Sequence, residues 1–320
     1  MPFTADPLEH DLFALIQSEI PLPVPVGETS LSPDIAKRMD CIKADLVKRA
    51  GGMANFTAKT GTIIRDAVDY VIDAPTLARF RVEDLEPDEK TAAGKRIERL
   101  MRHTFKISRG KKLDVLLGGE DVDIKTTMNK NWMFSKSSWG HVNLLIAYSE
   151  KKATFSAGLA FVLEEHLGAK NRDTKRSMKS KFREEISWIV QDSPYPPNFL
   201  AALEEVELNK IASHRHGTAR VDALLEAVQE RAIPRHAISS VANQRDPLKR
   251  IRSNGGSRTK LWPKKILVLS GTFKDDRDLA HKALGLVLAK DEVLTVSAQS
   301  PKLTPAQIQK YASAHKLGTA

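Results

Sequence analysis

The stretch that most constrains this chain is Lys112-Leu113-Asp114-Val115-Leu116-Leu117-Gly118-Gly119-Glu120-Asp121-Val122-Asp123-Ile124-Lys125. A short apolar run, a Gly-Gly pair and a second, alternating run predict a β-hairpin closed by a two-residue turn. Side chains alternate along a strand, so Val122 and Ile124 fall on one face and Asp123 and Lys125 on the other. Asp114 opens the first strand. One end of the hairpin therefore gathers two acids and a lysine beside residues suited to a core. Charges in such a place are costly unless they are paired or used; the plainer alternative is a hairpin whose charges face solvent.

The spacing Asp, eight residues, Asp, one residue, Lys is the pattern of metal-dependent phosphodiesterases of the PD-(D/E)xK class. Phosphodiester hydrolysis needs charge stabilisation on the phosphate oxygens, an activated water and help for the leaving oxygen. Hard Mg²⁺ takes oxygen ligands and keeps several waters, so Asp114, Asp123 and the carbonyl of Ile124 suffice as ligands. Lys125 is then placed to orient or deprotonate the attacking water. A helix expected over residues 89–103, with Ile97, Leu100 and Met101 inward, carries Glu98 beside its apolar face. Glu98 is the candidate third carboxylate, although a glutamate so placed is ordinarily a solvated helix charge.

The charge balance agrees with a phosphate-bearing partner. Fifty Lys and Arg against forty Asp and Glu leave a net charge of +10, which points first to nucleic acid and second to an acidic membrane surface. No run approaches the roughly 20 apolar residues that span a bilayer. No basic-then-apolar leader opens the chain, so a cytoplasmic protein is expected. Cys41 is the only cysteine, which excludes an intramolecular disulfide and a cysteine-built zinc site.

With 320 residues there is room for two domains, expected at 1–192 and 193–320 around the Pro-rich linker 192–198. In the first, residues 1–30 read as an extended arm. Ser32-Pro33-Asp34 starts a helix that Gly51-Gly52 stops, and a second helix starts near Thr62. Continuous apolar runs within 141–148 and 153–162 predict strands covered on both faces. The loop 128–139 offers Asn131 and Trp139 to a nucleic-acid groove, or is a packed loop. The basic turn 167–176 offers Asn171, Arg172, Lys175 and Arg176 to phosphate, or is a solvated helix.

In the second domain, Val221, Leu224, Leu225 and Val228 mark one helix, and Pro234 opens another that buries Ile238 and Val241. A short third helix over 247–253 is followed by a hairpin using 258–262 and 266–269, the order of a winged helix-turn-helix. Gln244, Lys249, Arg250, Arg252, Asn254, Gly255, Ser257, Arg258 and Lys260 are the candidate DNA contacts, with Gln244 and Asn254 suited to base edges. One more helix is expected after residue 280.

These motifs together resemble the NaeI family of type II restriction endonucleases. The resemblance rests on Glu98, Asp114 and Asp123-Ile124-Lys125, on 168–176, on His216-Gly217-Thr218-Ala219-Arg220-Val221 and on 249–258, and it spans about residues 60–272. It implies an α/β fold in two parts: a PD-(D/E)xK core of mixed sheet flanked by helices, then a winged-helix domain similar to that of catabolite activator proteins. It further implies a homodimer that cuts double-stranded DNA with Mg²⁺, needs no small-molecule cofactor, and binds two copies of a GC-rich palindrome, one as effector. By the resemblance Asp114, Asp123 and the Ile124 carbonyl hold metal, Glu98 is an outer carboxylate and Lys125 the water-orienting base. The 128–139 loop departs most from the family pattern, so the recognition sequence does not carry over. Two other readings share the residues: a DNA-binding regulator with a decayed nuclease site, which the intact acid-acid-Lys set opposes, and a repair nicking endonuclease.

Overall fold

A computed structural model of the chain describes residues 32–242, 248, 251 and 256–318. Helix α1 (Pro33–Ala50) starts and stops where its cap signals predict. Ser32 Oγ accepts the Ile35 amide, and Gly51, at φ 85°, takes the left-handed turn that glycine adopts without strain. Met39, Ile42, Leu46 and Ala50 form its buried stripe. Helix α2 (Met53–Ile72) begins well before the expected Thr62: it has no side-chain cap to announce it, and buried Phe56 and Thr60 extend its inner face. Helix α3 (Pro87–Thr104) has proline in its first turn, and the Glu86 amide donates to Glu89 Oε2 at 2.8 Å.

The strands, in chain order, are β1 (Val115–Leu117), β2 (Glu120–Thr127), β3 (Met133–Phe134), β4 (His141–Ser149), β5 (Thr154–Val162), β6 (Leu167–Lys170), β7 (Arg176–Met178) and β8 (Ser187–Pro194). Five of them form a mixed sheet in the order β1-β2-β4-β5-β8, with β2 and β4 parallel and the other pairs antiparallel. The hairpin read from the sequence is its β1–β2 edge. Gly118 and Gly119, at φ 57° and 85°, make the turn between paired Leu117 and Glu120. Helix α1 clamps it: Arg38 donates twice to Glu120, at 2.8 and 2.6 Å, and Asp45 accepts the Gly118 amide.

Strand β4 is covered on both faces, as its unbroken apolar run predicts. Val142, Leu144, Ile146 and Tyr148 join the core built with helices α1, α2 and α3. Leu145 and Ala147 face a second cluster with Trp132, Phe134, Leu167 and Met178. That layer is the small sheet β3-β7-β6, so the basic turn at 167–176 is a hairpin tip and not a helix.

The expected linker is only partly one. Strand β8 continues through Pro194, paired with Thr154, because an edge strand tolerates proline. Tyr195 is then buried, and its hydroxyl bonds Glu150, which also pairs with the buried Arg65. Beyond it come α4 (Glu205–Ala212), α5 (Gly217–Ala227), β9 (Ile233–Pro234), α6 (Arg235–Ala242), α7 (Ser257–Leu261), β10 (Ile266–Ser270), α8 (Lys274–Leu284), β11 (Glu292–Ser297) and α9 (Pro305–Ala314). Val221, Leu224 and Ile238 share one continuous core with Ile64 and Val68.

The hairpin expected over 258–269 does not form. Its first arm is helix α7, and β10 pairs instead with β11, in the sheet order β10-β11-β9. The segment after residue 280, where only a helix was expected, thus supplies the central strand of this sheet as well as helix α9. Among the described residues no helix is long and apolar enough to cross a membrane.

Candidate active site

Register brings the sequence-predicted residues together. Val115 pairs with Val122, so one step further along the hairpin Asp114 stands opposite Asp123. Asp114 Oδ2 accepts the backbone amide of Ile124 at 2.8 Å, which ties the carboxylate before β1 to the strand that carries the other groups. Asp123 is only 5% exposed. Its Oδ2 receives Lys125 Nζ at 2.7 Å and Ser138 Oγ at 2.5 Å. Lys125 keeps 20% of its side chain exposed, enough to reach solvent or a substrate.

The two carboxylates share one electrostatic problem. Burial, and then the hydrogen bond with Asp123, push Asp114 up to about 7. Burial opposes ionisation of Asp123 too, but the bond from Asp114, the Lys125 ammonium and the Ser138 hydroxyl together hold it below the usual range. Side by side, the two carboxylates raise the proton affinity of Asp114, and a bound cation would offset their mutual repulsion. Two hard oxygen donors on adjacent strands, with neither thiolate nor imidazole, suit Mg²⁺ better than zinc.

Glu98 comes from helix α3. Helix α3 packs against the Ile124–Thr126 side of β2 so closely that a Cβ on Gly94 would collide with the Thr126 hydroxyl. Asp123 and Lys125 point to the opposite side, where β4 offers Asn143 and Leu145 as their register partners. Glu98 raises Asp114 through its charge, and its Oε1 lies 3.9 Å from Arg102. Among the described residues no three His, Cys, Asp or Glu side chains converge as a metal shell.

The remaining candidates divide by burial. Asn131 is exposed. Trp139 is half-buried against the second cluster, its ring 5.4 Å from the Arg176 guanidinium. Arg172 is 98% exposed at the tip of the β6–β7 hairpin, with Lys175 exposed beside it. Asn171 shapes that tip by accepting the amides of Asp173 and Lys175 at 3.0 and 2.9 Å. Arg176 is committed within the fold, donating to the Gly168 carbonyl at 2.5 Å and to Glu164 at 2.8 Å.

In the C-terminal part, two expected DNA contacts are corrected. Ser257 is buried, and Arg258 is 1% exposed on the inner face of α7, paired with Asp276 at 2.7 Å and donating to the Val268 carbonyl. A wing was expected there; the helix that forms turns these side chains inward. Lys260 is half-exposed and paired with Asp222 at 3.0 Å. Gln244, Lys249, Arg250, Arg252, Asn254 and Gly255, and the arm 1–30, lie outside the described residues.

Two site residues escaped the sequence reading. Asp121 accepts the amides of Lys111 and Lys112 at 2.7 and 3.0 Å and so shapes the loop that presents Asp114. Ser138 lay inside the loop read as a DNA reader, and its only signal was its neighbourhood to Trp139.

The family profile described as restriction endonuclease NaeI matches residues 56–305, a longer stretch than the motifs alone cover. The chain is also 31% identical over 227 residues to the type II restriction enzyme NaeI of Lentzea aerocolonigenes, covering 68% of this chain and 72% of that protein. The extent of that match, together with the Asp114, Asp123 and Lys125 arrangement, shows that the chain belongs to the NaeI family of type II restriction endonucleases.

Proposed function

We propose that this protein is a Mg²⁺-dependent, site-specific endonuclease that cuts double-stranded DNA at a GC-rich palindrome, working as a homodimer in the cytoplasm. The observation that carries the reading is the buried Asp123 carboxylate bonded to Lys125, with the Asp114 carboxylate tied to the amide of the intervening Ile124. Asp114, Asp123 and the Ile124 carbonyl would hold the metal, whose positive charge offsets that of the phosphate and lowers the pKa of water. Lys125 orients the attacking water and bears part of the charge on the phosphate. Glu98 acts at longer range, through its field on Asp114.

Cutting both strands of a palindrome calls for two such sites related by a two-fold axis. Lys170, Arg172 and Lys175, exposed on the small sheet that packs over the Asp123 side, are suited to the backbone of the bound duplex. The C-terminal part, with the order α5, β9, α6, α7, β10, α8 and β11 and with β9 paired to β11, is the part that would take the second DNA copy as effector. The test is digestion of GC-rich DNA in Mg²⁺ and in EDTA, with and without short duplexes added in trans. Discrete Mg²⁺-dependent fragments, promoted by the duplex that contains the site, are expected. Absence of cutting under every condition sinks the reading.

A further inference from the structure

The established family accounts for the acids and the lysine but not for what holds Asp123 still. Its Oδ2 is engaged from two directions, by Lys125 in its own strand and by Ser138 in the segment that crosses from β2 to β4. Ser138 has no solvent exposure and ends a single 3-10 turn, Lys136–Ser138. That turn is anchored rather than loose. The Asn143 amide, itself fully buried, donates to the Ser138 carbonyl at 3.2 Å and to the His141 carbonyl at 2.9 Å. Asn143 is also the register partner of Asp123 across the parallel β2–β4 pair. One strand thus carries the carboxylate, and its neighbour carries the residue that fixes the hydroxyl aimed at that carboxylate.

The consequence is chemical. A carboxylate that binds a cation must present one oxygen in a set direction, and free rotation about χ2 would spread that direction. With Oδ2 bonded to both Ser138 and Lys125, rotation is stopped and Oδ1 is free of both partners. We propose that Ser138 is a positioning residue of the cleavage site: its hydroxyl fixes the Asp123 carboxylate in the orientation that binds the divalent ion. This role rests on the functional reading above. It also assigns to the 128–139 segment a task beyond DNA contact, since the same short turn that holds the exposed Ser137 and follows the partly buried Ser135 reaches the metal-site acid. Ser135 Oγ lies 2.9 Å from Ser137 Oγ and 3.3 Å from Ser138 Oγ.

The test uses the full-length protein, Ser138→Ala, and Ser138→Cys, which nearly preserves the side-chain volume and serves if the alanine variant does not fold. Mn²⁺ binding is read directly from the electron paramagnetic resonance of free Mn²⁺, and single-turnover cleavage is followed across a Mg²⁺ titration. Binding of DNA in EDTA and the thermal midpoint are measured beside them. Expected is Mn²⁺ affinity weakened about 10- to 100-fold, with cleavage shifted to higher Mg²⁺ and largely restored at saturation, while EDTA-state DNA binding is unchanged. Parental Mn²⁺ affinity in a folded variant, with the parent cutting normally, overturns the role of Ser138 alone. A parent protein that neither binds Mn²⁺ nor cuts overturns the reading of the site and this inference with it.

Discussion

The amide of Ile124 and the carboxylate of Asp114 meet at 2.8 Å, so the strand that carries Asp123 and Lys125 also aims the acid that precedes the opposite strand. The arrangement holds two carboxylates together where the fold alone would not choose to put them, as the upward displacement of Asp114 to about 7 indicates. Asp114→Asn keeps the shape and removes one charge. It should abolish Mg²⁺-dependent cleavage and leave the metal-free protein as stable or more stable, by about 1 kcal/mol. Urea unfolding in EDTA beside a cleavage assay checks both halves; a less stable variant would contradict the strained-pair account.

Arg258 tests the corrected view of the C-terminal part. It is a buried member of an ion pair with Asp276, and the His315 Nε2 lies 2.7 Å from the same carboxylate. Arg258→Met should destabilise the protein by about 3–5 kcal/mol, because Asp276 is left buried with less compensation. Lys260→Ala, by contrast, removes only a half-exposed pair with Asp222 and should cost less than about 1 kcal/mol. Equal, small effects on the unfolding midpoint would return Arg258 to the surface role first expected of it.

What the sequence made legible, and what it hid, follows from the range of each signal. The hairpin, its Gly-Gly turn and the Asp123/Lys125 face were readable because turn chemistry and strand alternation are local. So was helix α1, whose caps at Ser32 and Gly51 are in the sequence itself. The start of α2 was hidden because Gly52 offers no capping side chain. The partner of β10 was hidden because β11 lies beyond an intervening helix, and the nearer basic stretch at 257–261 looked like the missing arm. Arg258 was misjudged for the same reason: composition counts a charge and cannot tell the inner face of a five-residue helix from the outer one.

The hairpin tip separates phosphate contact from scaffold. Arg172→Ala and Lys175→Ala should each lower the slope of log binding against log salt by about one if each meets a phosphate. Arg176→Ala should instead loosen the β6–β7 hairpin, costing about 1–2 kcal/mol, since its guanidinium bonds the Gly168 carbonyl and Glu164. Binding isotherms at several salt concentrations, with melting curves, distinguish the two classes. An unchanged slope for both exposed residues would remove the tip from the DNA interface.

His236 gives the pH dependence of the junction between the two parts. Burial, then the positive charge of Arg65, lower it from 6.5 to about 4, and its ring nitrogen lies 3.1 Å from the Pro197 carbonyl. Because the folded value is depressed, the stability it contributes is full above 6.5 and is lost as pH falls through about 4. Asp69, raised by burial to about 6, works in the opposite sense, gaining stability as pH falls below that value. The comparison of the parent with His236→Gln isolates the histidine. Between pH 7.5 and 4.5 the parent should lose about 2.5 kcal/mol more than the variant; parallel pH curves would place the His236 ring in solvent.

Lys125 carries the central claim. The most direct measurement is single-turnover cleavage by Lys125→Ala at saturating Mg²⁺, set beside its affinity for the same DNA in EDTA. The account predicts cleavage reduced by at least about 100-fold with EDTA-state binding unchanged. Cleavage at the parental rate by the folded variant would contradict it, and would move the chemistry away from the Asp114, Asp123 and Lys125 site.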